Sequence, residues 1–156
     1  MHVQAPLERC FLLSTNVDLV AETLHMRPLS GKSTGYVVAG DTILWAGWKF
    51  GLPQMHETRI TGYEHPVFFQ DTMGRGRFKS FQHDHSFVEI DGHTLLQDKV
   101  RFSLPGGWLG AKVAQHVMVP YISRMVRKRF YLLKHLAEGQ GWRRYLPNEN
   151  LPDETE

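Results

Sequence analysis

The chain has one cysteine, Cys10, among its 156 residues. No intramolecular disulfide can form, and no thiolate metal cluster. It also lacks any run of about 18 apolar residues, the length a membrane-spanning helix needs. The opening stretch "MHVQAPLERC" has no apolar signal core, so a cytoplasmic location and no integral membrane association are expected. Charge of one sign is missing too. Lysine and arginine number 18 against 16 acidic residues, a net +2, so no global field calls for nucleic acid or an anionic surface. No internal repeat and no cofactor motif is present.

What remains is the composition of a globular protein, 42% hydrophobic and 22% charged. A chain of this length buries about two thirds of its unfolded surface, which supports one domain over 1–140. The segment 141–156 reads as a polar tail, and its acidic end "PNENLPDETE" is expected to be disordered.

"RCFLLST" (Arg9 to Thr15) reads as a short strand. Asn16 is a candidate N-cap for a helix over "VDLVAETLHM", which Pro28 should end before the loop "PLSGKSTG". Five strand-like runs follow: "DTILWAGWKF", "MHETRITGY", "VFFQDTM", "FKSFQHDHSFVEI" and "HTLLQDKVRFSL". The short turns between them predict antiparallel neighbours. From Leu109 the apolar period becomes helical through Val113, Val117, Ile122, Val126, Leu133 and Leu136. One long helix to Glu138 fits, kinked at Pro120 and closed by Gly139. Arg124, Arg127, Lys128, Arg129 and Lys134 read as its solvated face, with stems snorkelling along the surface.

The most informative stretch is "SFQHDHSFVEIDGHTLLQDKVRF" (Ser80 to Phe102), with three histidines and three aspartates. His83 and His85 are two apart, the spacing of two ligands on one strand face. Asp91-Gly92 predicts a two-residue hairpin turn. That turn places Phe87 opposite Leu96, His85 opposite Asp98, His83 opposite Val100 and Phe81 opposite Phe102. Asp84 falls on the other face, toward Lys99. A three-residue Gly74-Arg75-Gly76 loop would set Phe69 against Phe81, Val67 against His83 and Asp71 against Lys79. Three polar groups, His83, His85 and Asp98, therefore stand in an apolar sheet face and need partners.

Three uses of that trio are open. A zinc-type site needs three or four ligands with supporting groups behind them. Acid–base catalysis would use Asp98 to orient His85, with His83 as a second contact. The simplest use is a charge-assisted His85–Asp98 hydrogen bond in a pocket wall. The residues favour this last use, and no metal is assigned.

The stretch "FQDTMGRGRFKSFQHDHSF…GHTLLQDKVRFSLPGGWLGAKVAQHVMVPYISRMVRKRFYLLKHL" resembles the START-like superfamily of polyketide cyclase/dehydrase and lipid-transport proteins, related in fold to the birch pollen allergen. The resemblance rests on the order of an "HxHxF" strand, a "GxTxLxDxVxFxLP" strand, a "GxLG" helix start and an Arg-Phe near that helix's end. It runs from about Arg9 to Leu136. It implies an α+β helix-grip fold: a curved antiparallel sheet of six or seven strands around a long C-terminal helix, with short helices after the first strand and a deep apolar cavity between. The function this implies is binding of a hydrophobic or aromatic small molecule, lipid-, polyketide- or quinone-like. Wall candidates are Trp45, Phe69, Phe81, His83, His85, Phe87, Asp98, Val100, Phe102, Val117 and Tyr121. The alternatives are a cyclase, dehydratase or isomerase using the His85–Asp98 pair, and an interaction module with a homodimer edge.

Overall fold

In a computed structural model of the protein, residues 1–146 are described. Strands β1 (His2–Val3), β2 (Met26–Gly31), β3 (Thr42–Lys49), β4 (Leu52–Glu64), β5 (Phe68–Arg75), β6 (Ser80–Ile90) and β7 (His93–Ser103) share one curved antiparallel sheet. Their spatial order is β1-β7-β6-β5-β4-β3-β2. The α+β class and the strand count are as expected.

Asp91 and Gly92 take φ of 51° and 76°, the left-handed pair a type I′ turn needs. That turn fixes β6 on β7 with His85 opposite Asp98, His83 opposite Val100 and Phe81 opposite Phe102, the predicted register. The outer face differs in one detail. Asp84 stands opposite Lys99, but its carboxylate pairs with Arg101 at 2.7 Å and accepts hydrogen bonds from Gln70 and Gln82.

The β5–β6 register is not the predicted one. β5 runs through Gly74 and Arg75 before the chain turns, so Phe69 faces His85 and Asp71 faces His83. The longer turn slides the pairing by an even number of residues. Every side chain keeps its face and changes its neighbour.

Arg9–Thr15 is helix, not strand. It lies in α1 (Leu7–Thr15), whose residues from Cys10 to Thr15 are all buried. A short apolar run enclosed on all sides has no polar face to reveal its period. Phe11, fully buried, sets its ring edge-on to Tyr63, Phe69 and Phe87. The helix α2 (Val17–Leu24) starts as predicted, with Asn16 Oδ1 accepting from the Leu19 N–H at 3.0 Å. It ends at left-handed His25, before Pro28. Pro28 lies instead in edge strand β2, next to a register shift, where the lost N–H is tolerated.

The C-terminal helical stretch comprises α3 (Gly107–Val113), a π-helical turn over Ala114–Met118, and α4 (Val119–Glu138). The wide turn comes just before Pro120, in the first turn of α4, and lets an otherwise continuous helix accommodate the proline ring and its missing N–H.

The packed domain extends past residue 140. Trp142 and Leu146 are buried in the same cluster as Phe11 and Leu13, and Asn16 Nδ2 donates to the Tyr145 carbonyl at 3.2 Å. The expectation of disorder for 147–156 falls outside the described residues.

Cys10 is sealed in this core. Burial pushes its thiol up to about 11. Alkylation by a maleimide at mildly alkaline pH should therefore run about a hundredfold slower in the native protein than in urea. Equal rates in a stopped-flow comparison would show the packing around Cys10 to be open.

Candidate functional site

A cavity of about 410 Å³ lies between the sheet and the helices. Most of its wall is apolar, from Val20, Ile43, Trp45, Ile60, Phe81 and Met125 among others. The polar minority includes Lys49, Gln54, His56 and Thr58, and a cluster in which Asp71, His83, His85 and Arg129 all reach the wall. Phe50, Leu52 and Met55, largely exposed, also line it from the β3–β4 hairpin, and Phe50 meets the ring of Tyr121 at 4.8 Å.

His85 is the centre of that cluster. It is buried, and both ring nitrogens are engaged: Nδ1 lies 3.0 Å from Asp98 Oδ1 and Nε2 lies 3.0 Å from Asp71 Oδ2. Phe69 stacks on the ring at 4.1 Å, and the His83 ring lies 3.8 Å away. Arg129 reaches in from α4. Its Nη1 donates to Asp98 Oδ2 at 3.1 Å and its Nη2 donates to the Ser14 carbonyl at 3.2 Å. His83 Nε2 lies 3.0 Å from Asp98 Oδ2 but is turned off hydrogen-bonding geometry and has no aligned partner.

The charges follow from this geometry. Burial alone would push His85 down, but the Asp98 charge and hydrogen bonds to Asp71 and Asp98 raise it, against the opposing Arg129 charge. Burial and the neighbouring His85 charge push His83 down, so His83 is neutral. Burial opposes ionisation of Asp98, yet His85 and Arg129 hold its carboxyl well below the usual range. Asp71 is lowered as well, burial again being outweighed, here chiefly by the His85 hydrogen bond. Two carboxylates thus face His85 and the Arg129 guanidinium, so each buried charge has an opposite charge or a hydrogen-bonding partner beside it, the condition for burying such groups together.

Of the predicted wall residues, the cavity is lined by Trp45, Phe69, Phe81, His83, His85 and Tyr121. Five others are elsewhere. Phe87 is turned onto Phe11, 5.3 Å ring to ring, because α1 closes that end of the sheet. Asp98, Val100 and Phe102 line a separate depression with Val119 and Phe130; Asp98 approaches the cavity only through its partners. Val117 is exposed, since the π-helical turn breaks the 3.6-residue period that would have brought it inward.

Two residues of the cluster escape the sequence reading. Asp71 shares its face with Phe69, two residues away, but the short predicted turn sets it against Lys79. Arg129 continues the spacing Ile122, Val126, Leu133 on the inward stripe of α4. That spacing was the available signal, and it was masked by the neighbouring Arg127 and Lys128.

No protein-family model matches the chain, and no curated protein does. Solved structures match over most of its length. SA2116 from Staphylococcus aureus, a protein of unknown function, is 12% identical with a TM-score of 0.66, covering 90% of this chain and 93% of that one. The major latex-like protein 151 of Panax ginseng is 9% identical with a TM-score of 0.59, covering 86% and 93%. The fold is the helix grip. The di-domain ARO/CYC StfQ of the steffimycin biosynthetic pathway shares it over 45% of its own length and 92% of this chain, at 14% identity and a TM-score of 0.53. Helix-grip architecture explains why one sheet face serves as core under α1 and as cavity wall under α4. No described helix is long and apolar enough to cross a membrane.

Proposed function

We propose that the protein binds a mostly apolar small molecule, with a lipid-, polyketide- or quinone-like body, in the cavity between the sheet and α4. The observation that carries this reading is the make-up of the wall. A chamber of about 410 Å³ is walled mostly by apolar side chains with a minority of polar ones, among them the Asp71, His83, His85 and Arg129 cluster, the composition of a small-molecule site. The greasy body would lie against Ile43, Trp45 and Met125, and a polar end would meet His83 and Arg129. The helix-grip fold of the ginseng latex-like protein and of StfQ is consistent with such a role. Acid–base catalysis by the His85–Asp98 pair is less well supported, because neither His85 ring nitrogen is free. A proton-moving role would fall instead to neutral His83.

The naphthalene dye 1-anilinonaphthalene-8-sulfonate is a suitable probe. Met125→Trp should fill the chamber and weaken dye affinity about tenfold or more, with near-ultraviolet circular dichroism reporting an intact fold. Dye affinity unchanged in a folded Met125→Trp protein would place the dye outside the chamber and defeat the proposal.

A further inference from the structure

We infer that Asp71, His83 and His85 form a binding site for a divalent transition-metal ion of the zinc class, set in the polar wall of the cavity. The three side chains come from adjacent strands. The β6 pleat projects both imidazoles to one face, and the β5 register brings Asp71 opposite His83. Asp71 Oδ2 lies 3.0 Å from His85 Nε2 and 3.9 Å from His83 Nδ1, and one donor atom from each residue falls within 4.8 Å of the other two. Metal–ligand bonds of about 2.0–2.2 Å in a tetrahedral arrangement separate neighbouring donors by about 3.4 Å. Displacements of well under an ångström bring the first two pairs to that spacing. Two imidazoles and one carboxylate are a donor set that zinc-class ions favour over calcium or magnesium.

The stronger argument lies behind the donors. A ligating histidine needs its far nitrogen held as N–H by an acceptor. Here a single carboxylate serves both rings: Asp98 Oδ1 is 3.0 Å from His85 Nδ1, and Asp98 Oδ2 is 3.0 Å from His83 Nε2. Arg129 holds Asp98 in turn. The nitrogens left over, His85 Nε2 and His83 Nδ1, are the two that face Asp71. The misaligned His83 Nε2 gains its hydrogen bond once His83 Nδ1 is drawn onto an ion and the ring turns. An ion bound at His85 Nε2 needs that nitrogen unprotonated, so any proton it shares with Asp71 passes to solvent as the ion enters. All three donors line the cavity, so the coordination positions they do not fill open toward it. There an oxygen atom of water or of a cavity ligand would bind.

The site is tested with the metal alone, independently of dye binding. Protein stripped with chelator should take up one equivalent of Zn2+ by calorimetry. Co2+ in its place should show the visible absorption of a four- or five-coordinate ion. His83→Ala and Asp71→Ala should each lower Zn2+ affinity about a hundredfold or more. Asp98→Asn, which touches no metal, should lower it about 10–100-fold. Stoichiometric binding that survives His83→Ala would assign the ion to exposed histidines and overturn the inference. So would an absence of Zn2+ uptake, or a purely octahedral Co2+ spectrum, in the wild-type protein, whose fold no substitution has disturbed.

Discussion

Replacing Asp98 with alanine should destabilise the metal-free protein by about 3–5 kcal/mol, the cost of stranding a buried charge by removing its partner. The Asp98 side chain is only 4% exposed. It accepts from Arg129, is hydrogen-bonded to His85, and lies against His83. Without it, His85 and Arg129 keep one carboxylate, Asp71, near them. A loss of this size is a large part of the 5–15 kcal/mol that holds a typical domain together. The control stands one strand away. Asp84 also sits in a charged pair, but its partner Arg101 is about half exposed, and surface pairs contribute about 0–1 kcal/mol. Urea unfolding of Asp98→Ala and Asp84→Ala, both in chelator, separates the two cases. Equal midpoints would mean that the inner cluster is as well hydrated as the surface pair.

That contrast also shows how far the cluster could be read from the chain. Strand alternation and the Asp-Gly turn are local rules, and they sorted Asp84 outward and His83 and His85 inward, with Asp98 facing His85. The rest depended on chain segments that those rules do not connect. Asp71 arrives because β5 continues through Gly74 and Arg75, and glycine-containing turns do not announce their length. Arg129 arrives because α4 crosses the sheet at one point, and a basic residue on an inward stripe looks like any other in a basic run. Both are members of a charge balance that exists only after folding. The third ligand of the proposed metal site therefore had no sequence signal beyond its parity with Phe69.

The fold was readable for a similar reason. Strands β3 to β7 are separated by turns and carry a clear pleat, so their order and direction followed from pattern. The N-terminal helix did not, because its second half, Cys10 to Thr15, is buried on all sides against residues such as Trp142, Leu146, Phe69 and Phe87 and shows no polar face with a helical period. Its misreading as a strand had a consequence at the site. With α1 in place, Phe87 packs against a helix and the cavity is pushed toward Trp45 and Tyr121.

Phe11→Ala tests that arrangement. Phe11 is fully buried and touches the rings of Tyr63, His65, Phe69 and Phe87 at centroid distances of 5.6, 4.9, 5.9 and 5.3 Å. Truncation removes its apolar burial, four edge contacts and the wedge between α1 and the sheet. Phenylalanine-to-alanine changes in such cores cost about 3–5 kcal/mol, with edge-to-face aromatic pairs adding to the area lost. Hydrogen exchange should rise most in α1 and around Phe69 and Phe87, while strand β3, whose Ile43 and Trp45 belong to a separate cluster, keeps its protection relative to the global limit. Phe50→Ser at the cavity mouth, where the ring is 62% exposed, should change stability by about 0.5 kcal/mol or less. A Phe11→Ala protein that unfolds within about 1 kcal/mol of wild type would mean that α1 is not what closes this end of the sheet. The boundary between core and cavity would then lie elsewhere than at Phe87.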